Sequence, residues 1–124
     1  METPVIRPLE SANLPDAVRL LHTLNPDTPL ALVSERLETI LSEHPHYELL
    51  GAFVNGRLVG VCSVWIATKI WCGRYLEIDN LVVDPELRDS GVGTALMKHV
   101  EQIGRERDCK ILVLDCYTTN HASH

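Results

Sequence analysis

A chain of 124 residues is one domain's worth of polypeptide, long enough to bury a single hydrophobic core. With 45% apolar and 23% charged residues it has the make-up of an ordinary globular protein, and no stretch approaches the roughly 20 apolar residues of a membrane span. Its net charge of −6 argues against a general nucleic-acid binder, which needs a basic face, and it permits a cationic substrate without demonstrating one.

The opening "METPVIRPLE" lacks the basic-then-apolar pattern of a secretory signal, so a cytoplasmic location with reduced thiols is the expectation. "VIRPLES" predicts a short extended piece. "ANLPDAVRLLHTLNP" predicts a helix capped by Asn13, with Pro15 in its first turn and Val18, Leu21 and Leu24 on one face. "DTPLALVSERLETILSEHP" predicts a second, capped by Asp27 or Thr28, with Pro29 in the first turn and a stripe of Val33, Leu37, Ile40 and Leu41. Pro45 ends it.

"YELLGAFV" and "RLVGVCSVWIAT" flank Asn55-Gly56, the strongest short-range hairpin signal in the chain. "RYLEIDNLVV" reads as a further strand. By strand period Glu77, Asp79, Leu81 and Val83 share one side of it, and Leu76, Ile78, Asn80 and Val82 share the other. A helix from about 90 to 107 follows, with Val92, Leu96, His99, Val100 and Ile103 inward, and "KILVLDCYT" closes as a buried strand. The order β-α-α-β-β-β-α-β predicts a mixed α/β fold, an antiparallel run followed by one right-handed β-α-β crossover. Cys62, Cys72, Cys109 and Cys116 form no C-x-x-C pair and read as buried structural thiols.

Between the last two strands lies "VDPELRDSGVGTAL". A helix N-terminus carries unsatisfied N–H groups and partial positive charge, so it attracts phosphate. Gly91 and Gly93 leave the backbone accessible, and Arg88 adds a full charge. A tight turn whose glycines serve only packing is the bland alternative. A P-loop is excluded because no lysine follows these glycines. A dinucleotide fingerprint is excluded because its third glycine position holds Leu96 and the loop follows a hairpin.

The segment "NLVVDPELRDSGVGTALMKHVE" resembles the acetyl-CoA-binding motif of the GNAT superfamily of N-acetyltransferases, [QR]-x-x-G-x-[GA] after a strand ending in V-x-P, with Arg88, Gly91 and Gly93 at the patterned positions. The superfamily's element order also matches the one read above, so the resemblance covers nearly the whole chain. It implies acetyl-CoA as acyl donor, with no metal. It implies that the backbone of Arg88, Asp89, Ser90, Gly91, Val92, Gly93 and Thr94 holds the pyrophosphate. The main chain of Leu81, Val82 and Val83 would pair with the pantetheine arm as an added strand. Asn120 would lie near the cofactor. Asp89 and Ser90 stand where many relatives have basic or glycine residues, making the phosphate grip less positive.

Acetyl transfer to an amine needs the neutral amine, and a carboxylate base meets that need. Glu77 and Asp79 are the candidates. Glu77 corresponds to the glutamate base of the histone-acetylating branch, and solvent-facing or ion-paired strand residues are the alternative. Tyr75 and Tyr117 are weaker candidates for a proton donor. Trp65 and Trp71 suit packing better than an acceptor pocket, His44 and His46 read as solvent-facing, and His121 and His124 lack the acidic companion of a metal site.

Superfamily members continue into a fourth helix and two closing strands. The chain is therefore expected to be a single N-acetyltransferase domain over 1–124, incomplete at its C-terminus. An exposed sheet edge predicts a homodimer. The expected function is acetyl transfer to a primary amine of a small molecule or protein, without nucleic-acid or membrane partners. A catalytically impaired acyl-CoA-binding module is the competing reading.

Overall fold

A computed structural model describes residues 3–114. Its elements are β1 (Val5–Pro8), α1 (Leu14–Leu24), α2 (Leu30–Glu43), β2 (Tyr47–Val54), β3 (Arg57–Lys69), β4 (Gly73–Val83), α3 (Val92–Glu106) and β5 (Ile111–Leu114), with short 3-10 turns at Ser11–Asn13 and Pro85–Leu87. The five strands run β1-β2-β3-β4-β5 across one sheet, antiparallel except for the parallel pair β4 and β5 that α3 connects. This is the mixed, mostly antiparallel α/β fold expected from the element order. No helix among the described residues is long and apolar enough to cross a membrane.

Two cores sandwich the sheet. On one face Val92, Leu96, Val100 and Ile103 of α3 pack on Leu50, Cys62, Val64, Leu76 and Ile78. On the other, Ala17, Val18 and Leu21 of α1 and Val33 and Leu37 of α2 pack on Tyr47, Leu49, Phe53, Val61 and Val82. Asn55 and Gly56 both adopt positive φ (52° and 78°), as a two-residue type I′ hairpin turn requires.

Local chemistry departs from expectation at several places. Asn13 does not cap α1; its side chain accepts instead from the Glu10 N–H at 3.0 Å, closing the 3-10 turn before the helix. Pro29 itself occupies the position ahead of α2, so neither Asp27 nor Thr28 caps it. Leu41 is exposed, because only Val33, Leu37 and Ile40 of the stripe reach the core beneath α2. His99 is half-buried and stays out of the α3 core. Cys62 is buried, whereas Cys72 and Cys109 are only half-buried free thiols; Cys116 lies outside the described residues.

The largest correction concerns β4. Ser63 pairs with Asn80 and Val64 with Ile78, so Asp79 is an extra residue that β3 does not oppose. Such a bulge reverses the alternation beyond it. Leu76 and Ile78 therefore face α3, while Val82 faces α1 and α2 and Val83 turns back toward α3. The two four-residue sides expected from a strict period do not survive past Asp79.

Candidate functional site

β4 leaves the sheet at Asp84, whose anchoring was not anticipated from sequence. Its N–H donates to the Val59 carbonyl at 2.8 Å, and its carboxylate accepts from the Glu86 N–H at 2.9 Å and from Arg57 at 3.2 Å. The Pro85–Leu87 turn follows, closed by Leu87 N–H to Asp84 O at 2.8 Å. Both the N–H and the hydroxyl of Ser90 then donate to the Leu87 carbonyl. The Ser90 N–H is thus already engaged within the loop that was expected to offer it to a ligand.

Two reversals of the chain bring α3 into place. Asp89 has φ 66° and Gly91 φ 94°, both left-handed, and Gly91 is the residue from which α3 springs. A Cβ at Gly91 would meet nothing within 4 Å, so the space above it is open. Gly93 is different: a Cβ there would touch the Val83 side chain at an ordinary 3.8 Å. Buried Val92 pins the first turn to the core. The first helical bond is Ala95 N–H to Gly91 O at 3.0 Å, and no side chain caps the helix. The N–H groups of Val92, Gly93 and Thr94 consequently point out of the helix end, and none of the three has a hydrogen-bond partner among the described residues. Arg88 beside them is exposed and has no ion-pair partner among the described residues. Asp89 is also exposed, and its charge opposes part of that of Arg88.

The edge of β4 leads to this loop. Pairing with β5 runs from Tyr75 to Ile78. Leu81, Val82 and Val83 pair with Cys62, Val61 and Gly60 of β3, and among the described residues no strand lies along their other edge. Main-chain groups there are available to an extended ligand.

Of the candidate bases, Glu77 is half-buried and stands opposite Trp65 in the register. Asp79, in the bulge, accepts from Trp65 Nε1 at 3.0 Å through Oδ2. The Trp65 ring is held edge-on by Tyr47 at 4.8 Å and by His44 at 5.4 Å. His44 is exposed yet has this fixed contact, so it is not simply a solvent residue. Below lies a polar knot that sequence reading missed. Buried Ser63 accepts from the N–H and Nδ2 of Asn80 at 3.1 and 3.0 Å, and its hydroxyl is also near enough to the Tyr47 phenol to influence it. Burial pushes the Tyr47 phenol up to about 12; the Ser63 hydroxyl works the other way, and the negative charge of Asp79 adds to the rise. The available signal was Ser63 itself, one hydroxyl in a long apolar strand, which demands a partner when buried.

Other expected positions lie apart from this knot. Trp71 stands 75% exposed on the β3–β4 hairpin tip, and Tyr75 is covered by Lys69, whose Nζ is 5.0 Å from the ring centroid. Tyr117, Asn120, His121 and His124 fall outside the described residues. Among the described residues no group of three or more His, Cys, Asp or Glu side chains is arranged to hold a metal ion. A shallow cavity of about 310 Å³ adjoins the loop, lined by Arg57, Val59 and Leu87. A second, of about 390 Å³, runs along α2. Neither is lined by Glu77 or Asp79.

A model of the acetyltransferase (GNAT) family matches residues 17–124. Among curated proteins the chain is similar to glucosamine 6-phosphate N-acetyltransferase 1 of Oryza sativa subsp. japonica, 29% identical over 118 residues, covering 90% of this chain and 72% of the relative. It is also similar to aminoglycoside N(6')-acetyltransferase type 1 of Klebsiella aerogenes, 27% identical over 127 residues, covering 98% and 84%. The match to a Bacillus subtilis relative, 28% identical over 81 residues, spans only 50% of that protein's length. Among solved structures, an aminoglycoside N-acetyltransferase in complex with CoA superposes with a TM-score of 0.81 at 22% identity, covering 98% of this chain and 82% of the other. At that identity the likeness speaks to the fold.

Proposed function

This chain belongs to the acetyltransferase (GNAT) family, and from that premise we propose that it transfers the acetyl group of acetyl-CoA to a primary amine of a small molecule or protein. The observation that carries the reading is the uncapped start of α3. Three outward N–H groups behind a left-handed glycine, with Arg88 alongside, suit a pyrophosphate and have no protein partner among the described residues. The open edge of β4 at residues 81–83 supports the pantetheine arm lying there as a short added strand. Asn120 remains a proposed cofactor contact.

In the reaction a carboxylate takes a proton from the acceptor's ammonium, and the freed lone pair attacks the thioester carbonyl carbon. The N–C bond forms, the nitrogen sheds its second proton as the C–S bond breaks, and the leaving thiolate of coenzyme A takes up a proton in its place. Glu77 is the first choice for the carboxylate and Asp79 the second. Both sit on β4 close to its open edge, where an acyl group carried by the pantetheine arm would arrive.

The names of the relatives suggest amino sugars and aminoglycosides as acceptors to try first. Release of free coenzyme A should be followed with glucosamine 6-phosphate, an aminoglycoside, a polyamine, amino acids and peptide amines. Turnover with any of them supports the proposal. Binding of acetyl-CoA without turnover of any amine would leave the impaired acyl-CoA-binding module in its place. A thermal melt unmoved by millimolar acetyl-CoA would remove both readings, since a hundredfold excess over the dissociation constant is worth about 2.7 kcal/mol.

A further inference from the structure

Asp79 is fixed in place by an aromatic donor. The bulge leaves it unopposed by β3, and Trp65 Nε1 holds its Oδ2 at 3.0 Å. Trp65 itself makes edge contacts with Tyr47 and His44, which restrain the indole. Tyr47 is buried and packs in the core on that face of the sheet, which extends the support inward. The other oxygen, Oδ1, has no hydrogen-bond partner among the described residues. A carboxylate with one oxygen clamped and one open is a preorganised acceptor for a cation, because little conformational freedom remains to be lost on binding.

We infer that Trp65 is a positioning residue for the acceptor: by clamping Oδ2 of Asp79 it aims Oδ1 at the acceptor's ammonium group. The inference deepens the acetyl-transfer reading, which supplies the identity of the ligand as an amine. It divides labour between the two carboxylates. Asp79 docks and orients the ammonium, and Glu77, two residues earlier on the same strand, takes its proton. The acceptor class selected is a primary amine that arrives protonated; a neutral alcohol of the same shape gives Oδ1 no charge to pair with and gains much less.

The test follows the backbone amides of Asp79 and Asn80 in nuclear magnetic resonance spectra of the full chain. n-Butylammonium and 1-butanol serve as charged and neutral probes. Butylammonium should shift both amides saturably, and butanol should not. Trp65→Phe keeps a packing ring and removes only the N–H donor; it and Asp79→Asn should each weaken butylammonium binding about tenfold or more. If Trp65 acts through Asp79, the double variant should bind no worse than Asp79→Asn alone, whereas a merely structural role would give additive losses. Glu77→Gln also removes a negative charge near the ammonium, so it should weaken butylammonium binding, but by less than Asp79→Asn does.

Wild-type affinity in Trp65→Phe, additive losses in the double variant, equal binding of butanol, or a loss with Glu77→Gln as great as that with Asp79→Asn would each overturn the inference. Should Asp79→Asn not fold, Trp65→Phe decides alone. The measurement needs no turnover, so an absence of coenzyme A release from every amine would defeat the acetyl-transfer reading and leave this binding result standing. With any amine that is turned over, the same variants should raise KM for the amine while leaving KM for acetyl-CoA unchanged.

Discussion

Single residues carry the chemistry, and two of them make separable predictions. Gly91 sits at φ 94° with open space where a side chain would grow. The Cβ of Gly91→Val would meet nothing within 4 Å, so its stability cost is mainly conformational, about 1–2 kcal/mol for a left-handed non-glycine residue. If that space belongs to the pyrophosphate, calorimetric titration should show acetyl-CoA affinity falling by clearly more than urea denaturation accounts for. Equal losses in both would mean the glycine serves only the turn. Glu77→Gln keeps shape but cannot take a proton at neutral pH. Turnover should drop about a hundredfold to ten-thousandfold, with acetyl-CoA affinity unchanged. Raising the pH should partly restore the variant, because more amine then arrives neutral. Retained turnover in Glu77→Gln alongside loss of kcat in Asp79→Asn would make Asp79 the base.

At the scale of elements, the site depends on how closely α3 approaches β3. Gly60 is the point of contact: a Cβ there would lie 3.1 Å from Val92 Cγ1, 3.3 Å from Leu96 Cδ1 and 3.3 Å from the Val82 carbonyl. Leu96 and Val92 are both fully buried, so neither can retreat without moving the helix. Gly60→Ala should therefore destabilise by about 1–3 kcal/mol, the usual range for overpacking. Because Val92 is also the first residue of α3, the push reaches the donor groups of the first turn. Gly60→Ala should weaken acetyl-CoA binding even though it lies in a different strand from the loop. Affinity unchanged in a measurably destabilised variant would show that the loop floats independently of the helix start.

For the molecule as a whole, the two buried acids set an alkaline limit. Burial pushes Cys62 from 9.0 up to about 12, and Tyr47 from 10.0 up to about 12. Both give up their protons less readily when folded. The stability they contribute is therefore complete below about pH 9 and is lost as pH rises toward 12. For Tyr47 alone the rise corresponds to roughly 3 kcal/mol, at about 1.4 kcal/mol for each factor of ten. Melting temperature should fall steeply across that window, and Tyr47→Phe should flatten the fall by removing one of the two titrations. A profile identical in the variant would show that Tyr47 is not protected by the fold. The molecule also carries exposed Ile70, Trp71 and Leu112, the last on the outer strand of the described sheet. Such a surface supports the expected homodimer. Light scattering should show association at high concentration, and a monodisperse monomer there would remove the proposal.

Read by itself, the sequence determined the element order, the hairpin at Asn55 and Gly56, and the loop from Arg88 to Thr94 that opens a helix. These are short-range matters. Turn chemistry, hydrophobic period and the conformational freedom of Gly91 are written within a few residues of where they act. The tertiary structure alone decided which way β4 faces. Its bulge at Asp79 arises from the pairing of Ser63 with Asn80 and of Val64 with Ile78, a register between strands that no local window contains. That one unopposed residue turns Val82 and Val83 to the opposite faces from those a strict alternation assigns, and it brings Asp79 under the indole of Trp65. The anchoring of Asp84 by Val59 and Arg57 is likewise long-range, as is the burial of Ser63 against Asn80 and Tyr47. Each is a polar group whose partner is chosen by where the sheet closes, so the residue is visible in the chain while its role is not.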